Sequence, residues 1–323
     1  MEELLARFNK GEVRALSQLI SLVENDAEEG LAILSHLYPR IGRAYRIGIT
    51  GAPGSGKSSL IERIANSFLK ENFSLGIVCV DPSSPFTGGA ILGDRVRMAS
   101  LFLEPKVYIR SMASRGSSGG LAFRTKEVCD ILDAFGKDII LIETVGVGQV
   151  EIEIQKTAYT VIVVLVPESG DTIQTLKAGL LEIGDIFLIN KSDREGADRL
   201  ALELSTTLKM KENTNWLAPV IKTCALTGEG VEEVFREIGR HRQYLTENGL
   251  LEKKRRENII SEIKDLTEEK IKKEIWEREE IKRLFPDWIK EIERGNLTPF
   301  TVSEMIIKMV KEEFGRRGNG EGV

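Results

Sequence analysis

The chain has 323 residues, 41% hydrophobic and 29% charged, with a formal net charge of -5. That length can bury a substantial core, either as one large domain with appendages or as two domains. The composition is that of an ordinary soluble protein, and the slight acidity gives no reason to expect nucleic acid as the main partner, so any basic site must be local.

The opening MEELLARFNKGEVRALSQLI lacks an apolar signal core and does not resemble an Arg/Ser-rich transit peptide, which points to the cytoplasm. Residues 1–40 read as short amphipathic helices, with Leu4, Leu5, Phe8, Val13, Leu16, Leu19 and Ile20 near helical spacing and Tyr38-Pro39-Arg40 closing them. His36 and, further on, His241 read as helix-surface residues, since neither has Cys or acids at metal-ligand spacing. From Ile47 to about Thr246, β-rich runs alternate with helical patterns: RIGIT, LGIVCV, VYIRSM, DIILIE, TVIVVLV, DIFLIN and PVIKTC. This is the pattern of an α/β fold, a mostly parallel sheet covered by helices on both faces. TVIVVLVP, its longest apolar stretch, is far short of the ~20 residues that span a bilayer, so no membrane role is expected. Cys79, Cys129 and Cys224 are widely spaced, form no CxxC pair and read as reduced core thiols.

Between the first strand run and a helix pattern lies GAPGSGKSS, which matches G-x-x-x-x-G-K-[ST] in the context that motif requires. Gly51, Ala52, Pro53, Gly54, Ser55, Gly56, Lys57, Ser58 and Ser59 are therefore the expected phosphate cradle. Glycines let the backbone N–H groups and the next helix's N-terminus face phosphate. Lys57 would reach the β/γ-phosphates, and the Ser58 hydroxyl would ligate Mg²⁺. Further on, CVDPSSPFTGGAILGDRVRM places Asp81 at a strand end and Asp94 after a Gly-rich loop, where a nucleotide-sensing loop would supply metal ligands. Arg95 and Arg97 follow, to be read as phosphate or partner contacts or as plain helix-starting charges.

The run DIILIETVGVGQ ends on Glu143, at a position that usually holds Asp in nucleotide-binding proteins, with Gly146 three residues on. In P-loop proteins this acid reaches Mg²⁺, usually through water, and the glycine offers its N–H to the γ-phosphate. Val147 stands where a water-orienting Gln would be expected, so intrinsic hydrolysis should be slow. Gln149 reads either as a substitute that orients water or as a helix cap. Residues 167–177, PESGDTIQTLK, form a polar loop leaving a buried strand, with Gly170 as a hinge candidate and Lys177 either a carboxylate partner or a plain surface lysine. In FLINKSD, Asn190, Lys191 and Asp193 match N-K-x-D, in which the Asp carboxylate accepts from guanine N1–H and the 2-amino group. GTP is thus favoured over ATP. TCALTGEG resembles the last G-protein element, with the backbone at Ala225 and Leu226 against the base.

After Gly249 the composition turns to a long charged helix, in which Ile259, Ile263, Leu266, Ile271 and Trp276 can form one packing stripe. A second helix follows, with Thr301 or Ser303 as its cap. The expected division is an N-terminal helical segment at 1–40, a P-loop NTPase domain at 41–248 and a helical extension at 249–323.

GAPGSGKSS, VDPSSPFTGGAILGDRVRM, SMASRGSSGGLA, ETVGVGQVE, VVLVPESGDTIQTLKAG and NKSD, in that order, resemble the MeaB/ArgK GTPases, which assist cobalamin-dependent acyl-CoA mutases such as methylmalonyl-CoA mutase. E-T-V-G is that family's form of the third motif, which accounts for Glu143. The resemblance implies GTP/GDP and Mg²⁺ as ligands, with Asp81, Asp94 and Glu143 as outer magnesium and switch acids. It also implies a homodimer built with the C-terminal helices as its dimerisation arm, and slow hydrolysis that the mutase accelerates. The 167–177 loop would couple nucleotide state to that partner. The alternatives are an ArgK-type kinase acting on a transport-related protein, for which no acceptor site is legible, and a nucleotide-dependent scaffold. The absence of a Cys/His-rich segment counts against a metal-insertion GTPase.

Overall fold

The seven expected β-rich runs all form strands: β1 (Tyr45–Gly51), β2 (Leu75–Asp81), β3 (Val107–Ala113), β4 (Ile139–Glu143), β5 (Thr160–Leu165), β6 (Ile186–Asn190) and β7 (Val220–Thr223). The computed structural model describes residues 2–25, 28–81, 98–113, 124–146, 149–167, 178–210 and 215–318. The strands join one sheet in the order β3-β2-β4-β1-β5-β6-β7, and all neighbouring pairs are parallel. Every residue of β1, β4 and β6 is buried. That is why these runs read as nearly continuous apolar sequence rather than as alternation.

The chain divides into two compact units, Met1–Arg256 and Glu257–Val323. In the first unit, α1 (Glu2–Asn9), α2 (Val13–Glu24) and α3 (Glu28–Leu37) turn Phe8, Leu16, Leu19, Ile20 and Ile33 onto one face of the sheet, in a cluster with Val78, Ile140 and Ile142. Each such buried side chain contributes about 1.5–3 kcal/mol relative to exposure. The opposite face is covered by α4 (Lys57–Lys70), whose Leu60, Ile61 and Ile64 pack with Ile47 and Ile49. On the first face, α5 (Thr125–Ala134) anchors the entry to β1: Arg46 donates to Asp130 at 2.5 Å, and Asp133 accepts the backbone N–H groups of Gly42, Arg43 and Ala44 at 2.8, 3.1 and 3.1 Å. The remaining helices of this unit are α6 (Ala178–Ile183), α7 (Ala197–Lys209) and α8 (Val231–Glu247). All three cysteines are free and buried.

His241 departs from the surface position expected of it: it is 1% exposed. It occupies the stripe of α8 that also buries Val231, Val234, Ile238 and Leu245. Its Nδ1 lies 2.8 Å from Thr160 Oγ1, which is 2.6 Å from the Tyr45 hydroxyl, and its Nε2 lies 3.4 Å from Asp185 Oδ1. Burial pushes the imidazole down to about 3, and the ammonium of Lys254 acts in the same direction. His36 is exposed, as expected, and its Nδ1 donates to Ala32 O at 2.8 Å.

The long charged helix is α9 (Leu250–Trp276), followed by α10 (Glu279–Glu293) and α11 (Pro299–Gly318). The second unit has its own small core of Ile281, Trp288, Val302, Ile306 and Val310. Thr298 caps α11, accepting from Thr301 N at 3.2 Å, while Thr301 Oγ1 accepts from Thr298 N at 2.9 Å. Of the two expected caps, Thr301 and Ser303, neither holds that position, and Thr301 is the reciprocal partner three residues after the cap, as in a capping box.

Candidate functional site

Parallel strands bring their C-terminal ends to one edge of the sheet, and the loops leaving that edge form the site. β1 ends at Gly51, and its neighbour β4 ends at Glu143, in register with Ile49 of β1 and Cys79 of β2. The loop after β1 turns into α4 at Gly56, whose φ of 91° places it in the left-handed region. A Cβ there would lie 2.2 Å from Asn190 Nδ2, so glycine is required for both its backbone and the space it leaves.

The residues expected at the phosphate end meet. Lys57 Nζ lies 2.8 Å from Gly51 O and 3.2 Å from Ala52 O, so its ammonium sits against the loop. The buried Ser58 hydroxyl donates to Glu143 Oε1 at 2.8 Å. Gly146, with φ 86°, lies against the same loop: a Cβ on it would come within 2.3 Å of Gly51 O and 2.9 Å of Lys57 Nζ. The Thr144 hydroxyl donates to Thr50 Oγ1 at 2.9 Å, tying the third motif to the end of β1. One methylene longer than Asp, Glu143 reaches the first turn of α4 from within its own strand.

The base-side residues also converge. Asn190 ends β6; its Nδ2 donates to Ser55 O at 2.7 Å, and its Oδ1 accepts from Ala225 N at 3.1 Å and Thr223 Oγ1 at 3.4 Å. One amide therefore ties the phosphate loop to the loop after β7. Lys191 adopts φ 59°, turning the chain so that Asp193 lies exposed beyond it. Leu226 is 83% exposed beside the buried Ala225.

Ser55 is fully buried, and its hydroxyl has no hydrogen-bond partner among the described residues. An orphaned hydroxyl inside the loop fits a phosphate ligand, since unpaired buried polar groups are costly. Ser58 and Glu143 present hard oxygen donors together, the kind Mg²⁺ takes. Among the described residues no three His, Cys, Asp or Glu side chains are grouped to hold a metal ion. Asp81 ends β2, two residues beyond the register partner of Glu143, but its side chain is not described. Asp94, Arg95, Arg97, Val147, Gly170 and Lys177 lie outside the described residues, as does the side chain of Gln149.

Arg63 was not singled out in the sequence. It lies on α4, and its guanidinium donates to Ala225 O at 3.1 Å and Leu226 O at 2.7 Å, fastening the base loop to the phosphate-loop helix. Its position on the second turn after Lys57, on the exposed side of α4, was the available signal; its partners are more than 160 residues away.

The sequence profile described as "Methylmalonyl Co-A mutase-associated GTPase MeaB" matches residues 16–280. The chain belongs to the MeaB family. A putative GTPase of Pyrococcus abyssi is 45% identical to it over 315 residues, 96% of this chain and 97% of the relative. The mouse "Methylmalonic aciduria type A homolog, mitochondrial" is 29% identical over 330 residues, 96% of this chain and 80% of that protein. A solved structure of an "LAO/AO transport system kinase" has the same fold, with a TM-score of 0.71 at 24% identity over 96% of this chain and 97% of the other. This MeaB-family protein is thus a P-loop GTPase by fold and relationship. No helix among its described residues is long and apolar enough to cross a membrane.

Proposed function

We propose that the protein hydrolyses GTP to GDP and phosphate at the Lys57–Glu143 site, and uses that cycle to gate cobalamin loading and protect a cobalamin-dependent acyl-CoA mutase of the methylmalonyl-CoA mutase type. The observation that carries the reading is the joining of four motifs in one place: Ser58 to Glu143, Gly146 against the Lys57 loop, and Asn190 bridging Ser55 and Ala225. The family description names the mutase association, and the mouse relative's name refers to methylmalonic aciduria.

In this reading the loop N–H groups and Lys57 hold the β/γ-phosphates, and Gly146 N–H donates to the γ-phosphate. Ser58 would hold Mg²⁺, with Glu143, Asp81 and Asp94 as the further acids that would serve it. When bound, Mg²⁺ neutralises charge on the phosphate oxygens and fixes their orientation. Asp193 selects guanine over adenine, with the backbone at Ala225 and Leu226 closing on the base. Val147, in the position after Gly146, has no group to orient water, so basal turnover is slow. The partner mutase accelerates it, with Arg97 and residues 167–177 coupling the partner to the nucleotide.

The domain organisation of 1–40, 41–248 and 249–323 belongs to the same proposal, with the last segment as a homodimer arm. Its support is the stripe expected on α9: Ile259, Ile263, Ile271 and Trp276 are exposed and Leu266 is partly exposed in the single chain. A cytoplasmic location completes the reading. The test is steady-state GTP hydrolysis by the purified protein, alone and with a methylmalonyl-CoA mutase from the same organism. A slow basal rate that rises several-fold with the mutase is expected; a rate indifferent to the mutase would overturn the partner assignment.

A further inference from the structure

At the edge of the sheet opposite the phosphate loop, where β1, β2 and β4 begin, there is a cleft of about 280 Å³ lined by Arg40, Arg43, Lys137 and Arg242 together with Asp133 and Asp138. Four cations meet two carboxylates in a chain whose net charge is -5, and both carboxylates are already engaged. Asp133 accepts the three N–H groups that lead into β1, with Arg46 at 3.8 Å. Asp138 accepts from Ser74 N at 2.8 Å and Ser74 Oγ at 2.7 Å.

Of the cations, Arg40, Arg43 and Arg242 form no ion pair among the described residues. Arg40 donates to the amide oxygen of Asn9 at 2.5 Å. The Arg242 guanidinium lies 5.0 Å from the centre of the Tyr45 ring. A contact with an aromatic ring leaves a guanidinium its charge and does not use up its capacity to bind an oxyanion in bidentate fashion. Lys137, 9% exposed, is held by the carbonyl of Lys106 at 2.9 Å. Burial lowers its pKa, and the carboxylate of Asp138 acts in the opposite direction. The carbonyls at the end of α5 do not cancel this field, because Phe135, Gly136 and Lys137 donate their N–H groups back to Ile131, Asp133 and Leu132.

We propose that this cleft is a second anion site, separate from the phosphate loop, that takes the phosphate group of a small free ligand, with Arg43, Arg242 and Lys137 as its receptors and the half-buried Phe73 as an apolar wall for the rest of the molecule. The concavity and the buried ammonium favour a compact phosphate ester over a flat acidic surface of another protein. The proposal does not rest on the nucleotide reading.

The test titrates inorganic phosphate into the full chain loaded with one equivalent of a nonhydrolysable GTP analogue, so that the phosphate loop is filled. Calorimetry and amide chemical shifts are read together. Saturable binding that moves the Gly136 and Lys137 amides is expected, weakened about tenfold or more in Arg43→Gln/Arg242→Gln, since each loss removes a charge-assisted contact. Arg43 is exposed and bonds only through its backbone, so Arg43→Gln alone keeps the test open should the double variant melt early. Its affinity should fall severalfold at an unchanged melting temperature. No phosphate binding by the loaded protein, or binding that neither variant weakens, would overturn the proposal. So would binding that leaves Gly136 and Lys137 unmoved.

Discussion

Replacing Asn190 by alanine should separate the two halves of the nucleotide site. The side chain is 2% exposed and makes three hydrogen bonds, to Ser55 O, Ala225 N and Thr223 Oγ1, at 2.7, 3.1 and 3.4 Å. A buried neutral hydrogen bond contributes about 1 kcal/mol, and a partner left without water costs about 1–3 kcal/mol. Counting the two shorter bonds in full and the long one as weak gives a loss of about 3 kcal/mol. For a body of this size, each kcal/mol lowers the melting temperature by roughly 2–4 °C, so the ligand-free variant should melt about 6–12 °C lower. With the phosphate loop no longer tied to the Ala225 loop, affinity for GDP should also fall about tenfold or more, which corresponds to ~1.4 kcal/mol. Circular dichroism melting and titration with a fluorescent GDP analogue read the two effects. A variant that melts within about 2 °C of the parent and binds GDP equally well would refute the bridging role.

Other sites give sharper single readouts. Glu143→Ala should leave GDP binding nearly intact while weakening the Mg²⁺ dependence of hydrolysis, read as a shifted Mg²⁺ titration of the rate; an unchanged titration would remove Glu143 from the metal shell. Asp193→Asn should relax the preference for GTP over ATP, and a retained ratio of the two affinities would exclude that residue from base reading. His241 gives a pH signature. Its folded-state pKa of about 3 lies below the ordinary 6.5, so between those values the unfolded chain takes a proton that the folded chain refuses. Stability therefore falls as pH drops through that window, by about 2 kcal/mol from pH 6.5 to 5 for this group alone. Asp185, whose pKa burial raises, opposes the trend. Urea melts at pH 7 and 5 should show a flatter dependence in His241→Gln than in the parent, and equal slopes would contradict the burial argument.

What the sequence made legible were features with local cause. The strand runs are continuous and apolar because β1, β4 and β6 are covered on both faces, and the phosphate loop announces itself through glycines, Lys57 and Ser58 packed into one short segment. The odd Glu143 could be placed at the end of a strand, but its bond to Ser58 depends on β4 lying beside β1, and that order is set by chain crossovers rather than by any one run. Arg63 was hidden for the same reason: nothing near it in sequence marks Ala225 and Leu226 as its partners. His241 was legible and misread. Its spacing from Val234 and Ile238 puts it on the buried stripe of α8, where the hydroxyl of Thr160 and the carboxylate of Asp185 make a polar ring acceptable. The cap of α11 is neither Thr301 nor Ser303: Pro299 is a first-turn residue, which places the cap one residue earlier, at Thr298.

The central claim is that guanine nucleotide is held by the loop around Lys57 and selected on the Asn190 side. Equilibrium binding of fluorescent GDP and ADP to the parent and to Lys57→Ala tests it most directly. Tight, Mg²⁺-dependent binding of GDP over ADP by the parent, lost in the variant while its melting temperature holds, is the predicted result. Equal affinity in the two proteins, or no preference for guanine in the parent, would contradict the account.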